Sequence, residues 1–147
     1  MGKGAMEAIG NFNRGMNPSL YVVDTHILLW HLIDSPKLSQ RAKEALTQVE
    51  KDEAKMLIPA IVLAEVIFIV ERGRVRVDLD ELFNYIKEAP NLEVIPLGLE
   101  QILLLKEMTQ IPGMHDRMIV CDAMLRKAKL LTADVQIRRA GAVEVIW

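Results

Sequence analysis

The chain has 147 residues, 51% of them hydrophobic and 26% charged, with a formal net charge of −2 and an isoelectric point near 5.9. That is one domain's length with enough apolar residues to bury a core, which excludes an intrinsically disordered chain. The slight acidity excludes a global positive field for holding nucleic acid, so such contact needs a local patch or bound cations.

Met1 to Asn17 hold four glycines, no apolar period and no signal-peptide order. They read as a flexible tail, or as an added leader before a native start at Met16, which leaves one domain over residues 18–147. Leu20 to Val23 form a short apolar strand buried on both faces, and Asp24 ends it. A helix is predicted from Thr25 to Leu32, broken at Asp34-Ser35-Pro36. Ser39 caps a second helix carrying Ala42, Ala45, Leu46 and Val49. Lys55 to Ile58 is the second strand, and Ala60 to Val70 a strongly apolar helix stopped near Gly73. Asp78 and Glu81 form a capping pair for the helix of Leu82, Tyr85 and Ile86. Leu92 to Ile95 is the third strand, followed by a helix from Leu99 to Met108, a loop from Ile111 to His115 and a helix from Asp116 to Lys127. Leu130 to Thr132, a short helix Asp134 to Arg139 and a last strand Val143 to Ile146 complete the alternation. Strands and helices in this rhythm predict a three-layer α/β/α sandwich with a mainly parallel central sheet. The longest apolar runs, Ile61 to Ala64 and Val66 to Val70, flank Glu65 and fall short of a membrane span. The only cysteine, Cys121, permits no internal disulfide and no cysteine-based zinc site, which suits a reducing cytoplasm.

Four carboxylates stand out. Glu65 lies in an apolar helix whose neighbours three and four residues away are Ile61, Val62, Phe68 and Ile69. No basic residue within a turn can pair with it, so it must find a cation, bind its proton more tightly or sit in a cleft. A place at the rim of the apolar face, reaching water, is the plainer alternative. Asp24 and Asp134 follow strands directly, and Asp116 opens a helix. Helix capping alone could account for each. Yet in a parallel sheet all strands point one way, so these positions converge on the edge where open α/β sheets bind ligands. Carboxylates gathered there repel unless cations are present, and all-oxygen ligands favour Mg²⁺ or Mn²⁺ over zinc. Such ions point to phosphodiester chemistry.

The segments Tyr21-Val22-Val23-Asp24-Thr25-His26-Ile27-Leu28-Leu29-Trp30, Ala64-Glu65-Val66, His115-Asp116-Arg117-Met118-Ile119 and Leu130-Leu131-Thr132-Ala133-Asp134 resemble the four acidic motifs of PIN-domain nucleases. The likeness is greatest to VapC-type toxins of toxin–antitoxin pairs, and the ending Ile137 to Trp147 is similar to that branch too. It spans Leu20 to Trp147, and its specificity lies in the order and spacing of the motifs together. Ala64 stands where many relatives carry a hydroxyl residue. The resemblance implies a Mg²⁺- or Mn²⁺-dependent endoribonuclease acting on single-stranded RNA regions, leaving a 5′-phosphate and a 3′-hydroxyl. Asp24, Glu65, Asp116 and Asp134 would be its metal ligands and catalytic acids. It further implies an antitoxin partner and a homodimer.

Thr25 and Thr132 are placed to orient ligand carboxylates, although strand-end or capping bonds explain them equally well. Arg117, beside Asp116, is the one cation singled out for a substrate phosphate among Arg72, Arg74, Arg76, Arg126, Lys127, Arg138 and Arg139. Asp122, six residues beyond Asp116, lies well round the helix from it and reads as solvated or structural. His26, His31 and His115 lack metal-site spacing. Trp30 and the helices Thr25 to Leu32 and Ala60 to Val70 carry apolar surface that a dimer face or antitoxin groove could use. Three other readings stand against this one. An aspartyl-phosphate phosphatase needs a second Asp two residues after the first, where this chain has His26, which disfavours it. A binding module without cleavage has little support from a sequence that keeps all four acids, whereas an RNA-processing nuclease outside a toxin pair shares every feature above.

Overall fold

A computed structural model describes residues 18–147; the N-terminal segment read as a tail lies outside the described residues. In chain order the elements are β1 (Ser19–Val23), α1 (Thr25–Leu32), α2 (Gln40–Glu50), β2 (Ala54–Pro59), α3 (Ala60–Glu71), α4 (Leu79–Glu88), β3 (Leu92–Ile95), α5 (Leu99–Leu105), α6 (Met114–Arg126), β4 (Lys129–Leu131), α7 (Val135–Ala140) and β5 (Val145–Ile146). The apolar runs become strands because each is short, rich in Val, Ile and Leu, and closed by a polar residue or proline. The helices start where an acceptor side chain meets orphan backbone N–H groups. Ser39 accepts from Ala42 N and Asp78 from Glu81 N.

The five strands pair in the order β3-β2-β1-β4-β5, every pairing parallel. β1 is central, and its Val22 and Val23 are fully buried. From β1 the chain moves outward through β2 to β3, then returns to the other side of β1 for β4 and β5. Right-handed crossovers in both directions put helices on both faces, which makes the three layers expected from the sequence. β1 and β4, whose connections leave in opposite directions, leave a crevice at their carboxyl ends. Their register pairs Val23 with Leu131, and the ladder closes with Asp24 N donating to Leu131 O at 3.0 Å. Asp24 and Thr132 therefore leave the sheet side by side.

Several boundaries differ from expectation. α6 begins at Met114, two residues before Asp116, with Gly113 as its N-cap. Pro112-Gly113 releases the chain early enough that Asp116 falls in the first turn, near the positive end of the helix dipole. α5 stops at Leu105, where tighter turn bonds from Glu107 N to Leu104 O at 3.0 Å and from Met108 N to Leu105 O at 3.1 Å replace the helical pattern. β4 ends at Leu131 and β5 has two residues. Apolar surface left over is greatest around α5, where Leu97, Leu99 and Leu103 are half or more exposed. α1 is largely buried and Trp30 is half-buried, tilted against Trp147 with ring centroids 5.9 Å apart. Among the described residues, no helix is long and apolar enough to cross a membrane.

Asp122 departs furthest from a solvated reading. It is 5% exposed, and its Oδ1 is buried without a hydrogen-bond partner. Burial is the main cause that pushes its carboxyl up to about 6, against smaller opposing effects of Gln101 and Arg126. It does not line the cleft described next.

Candidate active site

Asp24, Glu65, Asp116 and Asp134 line one cleft of about 380 Å³ at the carboxyl ends of β1 and β4. Thr25, His26, Trp30 and Ala133 complete its wall. Glu65 arrives from the second turn of α3 and Asp116 from the first turn of α6. Acids separated by up to 110 positions thus meet because the sheet order sets β1 beside β4, and α3 packs against both α1 and α6.

Two of these acids cap helices as well as lining the cleft. Asp24 Oδ1 accepts from Thr25 N at 2.7 Å, while Oδ2 accepts from Thr132 Oγ1 at 2.6 Å. Asp134 Oδ1 accepts from Ile137 N at 3.0 Å, capping α7. Thr132 is fully buried and its Oγ1 also accepts from Asp134 N at 3.1 Å. One hydroxyl therefore ties together the two acids that follow neighbouring strands. Thr25, 1% exposed, donates from Oγ1 to Glu65 Oε1 at 3.2 Å. Both threonines hold carboxylates of the cleft, as second partners of ligand groups do.

Two features were missed in the sequence. His115 Nδ1 lies 3.5 Å from Glu65 Oε1, so the acid without a partner on its own helix meets a basic group from α6. The signal available was that His115 adjoins Asp116, itself a suspected member of the same cleft. Gly113 is the second. A Cβ there would stand 2.9 Å from Asp116 Oδ2, so the absent side chain leaves room for that carboxylate against the helix start. A glycine where a Ser or Asp cap is usual was the only hint. Arg117 turns elsewhere: its Nε donates to Ile111 O, tying the preceding loop to α6.

Negative charge is crowded in the cleft. Burial raises the Asp116 pKa most, the carboxylates of Asp134, Asp24 and Glu65 raise it further, and His115 opposes them. Among the described residues, no group of three or more His, Cys, Asp or Glu side chains closes tightly enough to hold one ion. The four acids share the cleft without converging on a point. Four carboxylates lining one cleft are an all-oxygen donor set, of the kind taken by a hard cation that keeps several waters and binds one or two carboxylates directly, as Mg²⁺ does.

A family model of the PIN domain matches residues 21–143. The chain belongs to the PIN domain family. The match runs from the strand before Asp24 past the helix that Asp134 caps, so all four acids fall inside the PIN domain. No curated protein sequence matches the chain significantly. Among solved structures, the PIN domain is similar to VapBC2 from Rickettsia felis bound to a promoter DNA fragment, with 19% identity, a TM-score of 0.62 and coverage of 86% of this chain and 96% of that one. Similar too are VapBC from Salmonella typhimurium bound to DNA, with 15% identity, a TM-score of 0.62 and coverage of 86% and 96%, and FitAcB from Neisseria gonorrhoeae, with 15% identity, a TM-score of 0.59 and coverage of 85% and 95%. At these identities the likeness is one of fold.

Proposed function

We propose that this PIN domain is a Mg²⁺- or Mn²⁺-dependent endoribonuclease that cuts single-stranded RNA, and that it is the toxin of a toxin–antitoxin pair acting in the cytoplasm. The observation that carries the reading is the meeting of Asp24, Glu65, Asp116 and Asp134, from four separate segments, in one cleft at the switch point of the sheet. Proton affinity at Asp116 is raised first by burial and then by the neighbouring carboxylates, whose repulsion a dication would relieve. The chemistry that Mg²⁺ or Mn²⁺ supplies when bound is Lewis acidity toward water and phosphate.

The protein's own groups set the geometry. Asp24 and Asp134 are immobilised by their helix caps and by Thr132, and Glu65 by Thr25 and His115. Carboxylates fixed in this way would hold the cation in one place, and a fixed cation is what an anionic phosphate needs in order to take one pose in a cleft lined by carboxylates. Water gives up a proton and forms the new bond to phosphorus as the bond to the 3′-oxygen breaks; the departing 3′-oxygen takes up a proton, leaving a 5′-phosphate and a 3′-hydroxyl.

The toxin part of the reading is supported by the fold likeness to VapBC and FitAB assemblies. The exposed Leu97, Leu99 and Leu103 around α5 offer apolar surface that an antitoxin or a second copy of the chain would cover. The test is incubation of purified protein with a mixed single-stranded RNA pool in Mg²⁺, Mn²⁺ or EDTA. Cuts that need metal and carry 5′-phosphates are expected; intact RNA under all three conditions would sink the nuclease reading.

Thr132→Val probes the positioning argument. Removing the hydroxyl frees Asp24 Oδ2 and leaves Asp134 N without its acceptor, while the volume is kept. The expected result is a loss of roughly 10- to 100-fold in metal affinity or activity, read from Mn²⁺ titration of the cleavage rate. A rate and a metal midpoint equal to those of the unmodified protein would show that Thr132 serves the fold alone.

A further inference from the structure

Beside the carboxylate cleft lies a second groove of about 370 Å³, lined by Ile61, Ala64, Glu65, Phe68, Ile69, Arg72 and His115. Glu65 belongs to both walls, so the two spaces adjoin. The groove is largely apolar, yet its ends carry His115 on one side and the exposed Arg72 on the other. Phe68 is 58% exposed. An exposed ring over an apolar floor, with a cation at its far end and the carboxylates at its near end, has the chemistry of a nucleotide: a π-face, then a phosphate.

We propose that this groove is a nucleobase subsite, in which Phe68 stacks on the base next to the scissile phosphate and Arg72 contacts the following phosphate. The inference rests on the RNA-cleaving reading above and names how that substrate is held. Adjacency to the cleft favours RNA over a separate protein ligand, because a strand whose phosphate enters the cleft must lay its neighbouring base somewhere beside it. Arg72 complements a polyanion, and the groove's size suits one planar ring system rather than a docked helix. Stacking tolerates any base and favours those with larger ring faces, so the subsite would bias the cut position without reading a strict code.

The test uses the full chain carrying Asp24→Asn, so that RNA is bound without being consumed. Binding of a fluorescein-labelled mixed-sequence oligoribonucleotide is followed by anisotropy in Mg²⁺. Adding Phe68→Ala or Phe68→Leu is expected to weaken binding roughly tenfold, with Phe68→Trp restoring it. Arg72→Ala is expected to lower the slope of log affinity against log salt by about one. Phe68→Ala or Phe68→Leu binding as tightly as the parent would overturn the proposal and leave the groove to a protein partner. So would a parent that binds no RNA, or a Phe68→Ala protein whose sedimentation shows a different oligomeric state, which would place the ring between copies. The nuclease reading is judged apart, by metal-dependent cleavage with the unmodified chain: if that fails while Phe68 still governs RNA binding, the subsite stands and the activity does not.

Discussion

Asp24→Asn is expected to lower RNA cleavage by on the order of 10²- to 10³-fold, the scale of losing one preorganised electrostatic group from a transition state. The fold should survive it. Asn is as good a helix cap as Asp, so its Oδ1 can still accept from Thr25 N. Its Nδ2 cannot accept from Thr132 Oγ1 as Oδ2 now does, but it can donate to that hydroxyl after a rotation of the Thr132 proton. The charge that leaves is one of the three that raise the Asp116 proton affinity, so repulsion in the cleft also falls. Thermal melting should therefore move little while activity collapses, and melting and cleavage measured on one preparation separate the two effects. Cleavage within threefold of the unmodified rate would remove Asp24 from the catalytic set.

The second large effect concerns stability and lies outside the cleft. Asp122 sits on α6 with its neighbour Arg126 committed to Glu93 at 2.9 Å, so the nearest cation is already engaged. With its carboxyl pushed up to about 6 from the ordinary 3.8, the native state takes up this proton before the unfolded chain does. Above pH 6 both states are ionised and the native state bears a buried charge, a cost on the order of 3 kcal/mol. As pH falls from about 6 to 3.8 the cost is relieved, because only the native form is protonated there. Asp122→Asn is thus expected to stabilise the protein at pH 8 by about 1–3 kcal/mol, the lower end if the buried amide stays imperfectly bonded. The gain should shrink below pH 6 and vanish near pH 4. Urea unfolding of both proteins across pH 4–8 measures it, and equal stability at every pH would mean that the carboxylate is solvated. In the unmodified protein this one group makes stability rise with acidity over that window, against the usual trend for paired carboxylates.

The sequence by itself determined the element types, since apolar period and capping residues are local. It placed β1 through Ile58, α1, α2 and α3 within a residue or two, because each combines a strong pattern with a chemical stop. It also marked Asp24, Glu65, Asp116 and Asp134 as anomalous: three stand at strand or helix boundaries, and one interrupts an apolar helix. What only the tertiary structure decided was adjacency. That β4 lies beside β1 rather than beyond β3 is a non-local pairing, and it brings Thr132 to Asp24 across 108 positions. The His115 contact with Glu65, the burial of Asp122 and the exposed face of α5 depend in the same way on which elements pack together. Local periodicity states that a residue belongs on a face; the neighbour that covers the face is set by the order of strands, and no short stretch of chain encodes that order alone.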